Sequence, residues 1–596
     1  MKEKAANRKH RGFYVVWCVL GLLFAAVLEL NKNTLLGWAV FIAVMAGFCA
    51  LHKKVLSGQK GFVRFLGWIA LLIVLAGILV FTWPRPKPIP AVRTKDPAKT
   101  EAVMTASGPV VGVTDAEKNV EVFAGIPYAA PPVGDLRFRP PKDPASWTEP
   151  LLCDTFAPMS MQERNLPIYD SLAQIIGYHD YKISLTDNSV EPVSEDSLYL
   201  NIWKPAGPQT GLPVLVYIHG GSLQTGQPSY GPYAGGTFAS NGVVCVNMGY
   251  RLGVFGFFAD ETLLAEDGTT GNYGLLDQIK ALEWVRDNIT AFGGDPGNVT
   301  IVGESAGSVC VDALCVSPLA KGLFRRAILE SSTLAGKQPP HSYRLFPEAV
   351  SSGKELLARY GCGSADDLRA LPAEKIVGEM NTQHHVTVDG YVLPDTPYAL
   401  RKAGVHNEEA ILHGYNAEES GPFIIFSHAN LKNYQDKVRR YFREEAEDVL
   451  ALYPAGTDAE ADKAWAGIYG TVFFNYPHYC LNRLANEEGI PVWEYYFSKE
   501  NGQLGSWHSG ELIYAFANIP ADSRLYDASD RELSEMMHSY WVNFAKCGDP
   551  NGEGLPAFPQ NTDNKSVFEF GAHTGIIEDP YLALYEIMDR MQDKAA

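Results

Sequence analysis

The sequence predicts an α/β fold, a large, mostly parallel central sheet with helices on both faces, preceded by an all-α membrane segment. Three observations carry this. Apolar strands and helix-spaced segments alternate between about 212 and 330, the pattern of a sheet sandwiched by helices. One of those strands runs into Gly303-Glu-Ser-Ala-Gly307, a G-x-S-x-G turn that opens a helix. Ahead of them stand three apolar runs without a charge, 13–28, 35–51 and 65–83.

The first hundred residues differ from the rest in charge. They hold 15 Lys+Arg and three acids, a net of +12, while the remainder sums to −30. Two environments are implied. Each apolar run approaches the length that crosses a hydrocarbon core of about 30 Å. Trp17, Trp38, Trp68 and Trp83 lie mostly toward the run ends, where interfacial aromatics gather. The basic start also fits a cleaved signal peptide, but two further runs favour a multi-pass anchor. Lys2, Lys4, Arg8, Lys9 and Arg11 precede the first run, and Lys53, Lys54, Lys60 and Arg64 fill the second loop, against Lys32 alone in the first. That asymmetry puts the tail and second loop in the cytoplasm and everything after Trp83 outside. Arg85, Lys87, Arg93, Lys95 and Lys99 pull the other way. Alternate prolines over 84–90 exclude helix and favour polyproline II. Residues 84–100 therefore read as a semi-rigid spacer between a membrane region, 1–83, and a soluble domain, 101–596.

The soluble domain opens with a hairpin, 108–113 and 120–123. Pro and Gly crowd 123–141, which reads as a fixed loop, and 154–194 reads as loop too. Residues 195–203 return as a strand. Segments 212–219 and 243–250 are apolar enough to be buried strands. Over 273–288, Leu276, Ile279, Leu282 and Val285 line one side of a helix. The strand 299–302 leads into the serine turn, where glycines 303 and 307 remove side chains from a crowded junction. The helix from near Ala306 aims its amino-terminal dipole at Ser305. Strands at 324–330, 410–414 and 493–498 alternate with helical segments within 340–380, 430–490 and 538–546. Seven cysteines follow residue 100, an odd set in mostly apolar surroundings, so buried thiols are expected.

Longer strings surround these elements: F-G-G-D-P-G-N-V-T-I-V-G-E-S-A-G over 292–307, F-A-G-I-P-Y-A-A-P-P-V-G-D-L-R-F over 123–138, E-D-S-L-Y-L-N-I-W over 195–203 and F-A-K-C-G-D-P-N over 544–551. Together they resemble the type B carboxylesterase and cholinesterase family of α/β-hydrolases. The resemblance spans about 103–590 and implies the α/β-hydrolase fold and hydrolysis of carboxylic esters. It also implies a loop disulfide, but both of its positions hold serine here, Ser160 and Ser197.

A serine hydroxyl becomes a useful nucleophile when a base that is neutral near pH 7, oriented by a carboxylate, removes its proton. α/β-Hydrolases order the trio Ser, acid, His along the chain. His508-Ser-Gly-Glu-Leu512 is similar to the family's H-x-x-E-L, which implies His508 as the base. His478, His538 and His573 also lie downstream, outside any such motif. Asn416-Ala-Glu-Glu-Ser420 is similar to N-x-D/E-E-G, which implies Glu419 as the acid, with Glu418 its adjacent rival. His219-Gly-Gly-Ser222 resembles the H-G-G-G loop. It implies oxyanion donors from the amides of Gly221 and Ser222, joined by Ala306 after the nucleophile. The implied catalytic set is Ser305, Glu419 and His508.

No metal or organic cofactor is implied, since the sequence has no H-E-x-x-H and no clustered Cys/His spacing. Cholinesterases need an aromatic platform for a quaternary ammonium, placed before the E-D-x-L segment. Residues 154–194 hold no Trp, though Tyr169, Tyr178 and Tyr181 are present, so neutral esters are favoured over choline esters. The expected partners are a small-molecule ester and, through the amino-terminal helices, a lipid bilayer, with no nucleic acid. Oligomeric state stays open. Two rivals are an idle adhesion or receptor ectodomain on the same fold, and hydrolysis of amides, thioesters or lactones by the same trio.

Overall fold

The computed structural model describes residues 2–83, 88–94, 97–163, 192–337, 343–378, 385–424, 427–500, 505–521, 523 and 526–594. Tyr169, Tyr178 and Tyr181 lie outside the described residues. The chain forms two compact units, one within Met1–Pro88 and one made of Ile89–Glu163 and Val193–Ala596.

In the first unit the apolar runs are helices: α1, Lys2–Leu30; α2, Leu35–Lys54; α3, Gly61–Phe81. The apolar spans Gly12–Leu30, Leu35–Lys54 and Gly61–Phe81 are 19, 20 and 21 residues, long and apolar enough to cross a membrane. Phe13, Phe41, Phe48, Leu71 and Leu75 pack inward, whereas Leu22, Leu23, Phe62, Ile73 and Phe81 stay exposed. Helices apolar all round suit a hydrocarbon surround. The α1–α2 turn is tied to the end of α3 by Asn33, whose Nδ2 donates to Leu79 O at 3.0 Å and to Thr82 Oγ1 at 2.9 Å.

The second unit is built on an eleven-stranded sheet. Its strands are β1, Val113–Asp115; β2, Val120–Pro127; β3, Tyr199–Pro205; β4, Leu212–Ile218; β5, Val244–Met248; β6, Gly294–Glu304; β7, Arg326–Glu330; β8, Ile411–Asn416; β9, Val492–Phe497; β10, Ser566–Phe570; and β11, Gly575–Glu578. Their spatial order is β11-β10-β9-β8-β7-β6-β4-β5-β3-β2-β1. From β5 across to β10 every pairing is parallel, and the pairings outside that stretch are antiparallel. Parallel neighbours need long crossovers. These carry α4, Tyr273–Asn288; α5, Ala306–Val316; α6, Tyr476–Glu488; and α7, Ala528–Cys547. With helices on both faces, consecutive residues of a strand are all buried: Val214, Leu215, Val216, Tyr217 and Ile218 of β4 are at most 1% exposed.

The strand order brings the loops of interest together. β4, β6 and β7 end side by side, with Gly303 opposite Ile218 and Glu304 opposite Glu330. The His219 loop, Ser305 and Ser331 therefore leave the sheet at one edge, with Asn416 of β8 next in line. In open α/β sheets this edge, beyond the carboxyl ends of the strands, is where ligands sit.

Some boundaries differ from expectation. The strand expected over 299–302 starts earlier, since Gly294-Asp-Pro-Gly belongs to β6, with a register shift between Gly294 and Val299. β2 runs on to Pro127, into the stretch expected as loop, because Ile126 and Pro127 pair with Leu200 and Tyr199. The proline-rich segment is not a free spacer throughout. Phe156 N donates to Pro90 O at 3.0 Å, Val92 N to Asp154 O at 2.8 Å and Thr100 N to Gly112 O at 3.1 Å. At the positions of the expected disulfide, Ser197 Oγ and Ser160 Oγ lie 2.9 Å apart, and Ser160 Oγ donates to Tyr250 O at 2.6 Å. All nine cysteines are free thiols.

Arg401 joins the helix after Ser305 to the approach of β8. Its Nη2 donates to Asp312 Oδ1 at 2.7 Å and its Nη1 to Glu408 Oε1 at 2.8 Å, and all three side chains are fully buried. Arg401→Met leaves two carboxylates without a counter-charge in a medium of low dielectric. The expected cost is about 3–5 kcal/mol, read as a lower urea midpoint at unchanged slope.

Candidate active site

Ser305 stands between the end of β6 and the start of α5. Its φ of 56° and ψ of −124° are costly for a residue with a side chain. Ser305 N donates to Glu330 O at 2.9 Å, which holds the turn against β7. Close approach does the rest. A Cβ at Gly303 would stand 2.4 Å from the Gly307 backbone, and one at Gly307 would stand 2.0 Å from Ile218 O. The turn presents Ser305 to a cavity of about 200 Å³. Ser222, Leu223, Phe423, Tyr469 and Phe474 also line it, and among the described residues no charged side chain does.

His508 and Glu419 meet, as expected from the sequence. His508 Nδ1 donates to Glu419 Oε2 at 2.5 Å, and both are buried. Glu419 Oε1 accepts from Asn416 N at 2.7 Å. Asn416 Nδ2 donates to Trp507 O at 2.9 Å and to Glu511 Oε2, so the end of β8 is fastened to the histidine loop. With Nδ1 donating, neutral His508 carries its lone pair on Nε2. Phe423 and Phe474, both on the cavity wall, pack on the His508 ring with centroids at 5.1 and 4.8 Å. Nε2 is not hydrogen bonded to Ser305; among the described residues it has no hydrogen-bond partner, and it lies 3.3 Å from Glu304 Oε1. Such links are commonly long before substrate binds.

The rival acid and bases are elsewhere. Glu418 is exposed. His478 Nδ1 faces His413 Nδ1 at 3.0 Å in the core, His538 Nδ1 donates to Ala515 O at 2.8 Å, and His573 is exposed.

Two buried glutamates of the site escaped the sequence reading. Glu304 is buried beneath His508, and Ser509 Oγ donates to its Oε1. Glu511 accepts from Ser331 Oγ at 3.1 Å as well as from Asn416. Both glutamates stand in the strings quoted above, yet nothing local separates a buried carboxylate from a solvated one. Burial raises the Glu304 carboxyl above its ordinary range, against the pull of His508 and Ser509. Burial and the nearby Glu304 and Glu419 push Glu511 up to about 8. Burial would lower His508, but the Glu304 and Glu419 carboxylates outweigh it and hold the imidazole at about 9. A base works deprotonated, so kcat/KM is expected to rise with pH until His508 has lost its proton. Glu304→Gln removes the largest of the carboxylate charges favouring imidazolium, and the rise moves to lower pH. An unmoved profile denies Glu304 this role.

The amides expected to hold an oxyanion lie on two elements. Gly221 and Ser222 follow β4, and Ala306 is the first residue of α5. Gly221 needs its φ of 108°, and a Cβ there would stand 2.3 Å from Thr225 O. Thr225 N donates to Gly221 O at 2.9 Å, which closes the loop. Among the described residues, no group of three or more His, Cys, Asp or Glu is arranged to hold a metal ion.

Known proteins resemble this chain over most of its length. The model of the carboxylesterase family matches residues 99–583. A fumonisin B1 esterase of Sphingopyxis macrogoltabida is 32% identical over 533 residues, covering 85% of this chain and 94% of its own. A para-nitrobenzyl esterase of Bacillus subtilis is 31% identical, covering 79% and 95%. A crystallised carboxylesterase of Geobacillus stearothermophilus superposes with a TM-score of 0.69 at 30% identity, covering 82% of this chain and all of that one. The fold is thus that of an α/β-hydrolase, and the chain belongs to the carboxylesterase family, the carboxylic ester hydrolases.

Proposed function

We propose that the second unit hydrolyses uncharged carboxylic esters, with Ser305 as nucleophile, His508 as base and Glu419 as its orienting acid. The observation that carries this is the 2.5 Å pairing of His508 with Glu419 behind a strained serine turn, at a cavity that no charged side chain lines among the described residues. His508 Nε2 takes the Ser305 proton as Oγ attacks the carbonyl carbon. The oxyanion is met by the amides of Gly221, Ser222 and Ala306, each worth roughly 2.7–4 kcal/mol of barrier. The tetrahedral intermediate collapses, the alcohol leaves with the proton from His508, and water repeats the sequence on the acyl-enzyme. No carboxylate lines the cavity among the described residues to attract a cation, and this supports uncharged esters.

The test is a panel of nitrophenyl esters of graded acyl length with the full-length chain, followed by an organophosphate. Turnover and covalent labelling of Ser305 alone are expected. Turnover that survives complete labelling sinks the reading. The three helices α1–α3 act in this proposal as a multi-pass anchor, with the esterase unit on the extracytoplasmic side. Protease added to intact cells should release that unit, and full protection would reverse the orientation.

A further inference from the structure

The oxyanion loop carries a side chain where backbone alone would serve. Ser222 holds φ at 56°, and so does Leu223 after it. Left-handed backbone suits glycine and costs other residues. Leu223 is fixed by burial and by Gly253 N, which donates to its carbonyl at 2.7 Å. Ser222 has no such restraint. It is exposed, and among the described residues its hydroxyl has no partner. It lines the cavity that holds Ser305 and Ala306. The loop also presses on the nucleophile: a Cβ on Gly220 would stand 3.1 Å from Ser305 Cβ.

Resting on the esterase reading of this site, we infer that the Ser222 hydroxyl is a side-chain donor to the oxyanion, added to the backbone amides. As the bond from Ser305 Oγ to the carbonyl carbon forms, the carbonyl π pair moves onto oxygen. Ser222 O–H donates a hydrogen bond to that oxygen and keeps its proton. When the carbonyl re-forms and the alcohol leaves with the proton from His508, the bond weakens again. A donor that engages the charged oxygen most strongly acts on kcat rather than on KM. The strained backbone is then located where its side chain is used.

Ser222→Ala and Ser222→Gly separate hydroxyl from backbone. Alanine keeps the Cβ and the strain; glycine removes both. In the full-length chain, with nitrophenyl butyrate, both variants are expected to lose roughly 10²-fold in kcat at nearly constant KM. The glycine variant should also melt above the parent, and the alanine variant should not. A loss confined to glycine, a change in KM alone, or parent-level kcat in either variant overturns the assignment. A parent without Ser305-dependent ester turnover overturns instead the reading on which it rests.

Discussion

Ser305→Ala is expected to lower kcat on a nitrophenyl ester by roughly 10⁶-fold with little change in stability. The two halves of this expectation come from different features. Catalysis by covalent transfer ends when the attacking oxygen is gone, and what persists is the binding and oxyanion contribution, roughly 10³–10⁴ over water. Stability should barely move, because the turn is held by backbone and by absent side chains. Ser305 N bonds to Glu330 O, and glycines 303 and 307 make the close contacts. Alanine keeps the same φ and the same strain, so a change within about 0.5 kcal/mol is expected. Stopped-flow burst kinetics and a urea titration check both halves. A variant within tenfold of the parent would remove Ser305 from the chemistry.

Glu419→Gln is expected to cost roughly 10⁴-fold in kcat, while Glu418→Gln stays near the parent. Glutamine at 419 can turn an N–H toward Nδ1, which favours the wrong imidazole tautomer and withdraws the charge that stabilises imidazolium. Glu418 is one residue away and exposed; its backbone N donates to Ser506 O at 3.1 Å, and that contact survives the substitution. The pair of variants therefore reads the register of the acid. The reverse ranking, Glu418→Gln inactive and Glu419→Gln active, would reassign the acid to the neighbouring position.

The proposed trio can be picked out of the sequence because each member sits in a string whose residues have local duties: glycines at a crossing, an asparagine that fastens two loops, a histidine one turn before a glutamate. What stays hidden is tertiary. Gly294-Asp-Pro-Gly has the composition of a turn, and only pairing with β4 draws it into a strand. The prolines of 84–90 forbid helix, but nothing in them foretells that Pro90 O will accept from Phe156 N. Glu304 and Glu511 carry the charge of any surface glutamate, and their buried state depends on which loops close over them. Phe423 and Phe474 flank the His508 ring from positions outside the motifs.

The hydroxyl pair at 160 and 197 gives the loop clasp a different character from a covalent tie. A single neutral hydrogen bond holds with about 1 kcal/mol, against roughly 2–4 kcal/mol for a crosslink. In exchange it has no reduction potential. Glutathione cannot undo it, no oxidant or isomerase is needed to set it, and maturation of the hydrolase unit is the same on either side of a bilayer.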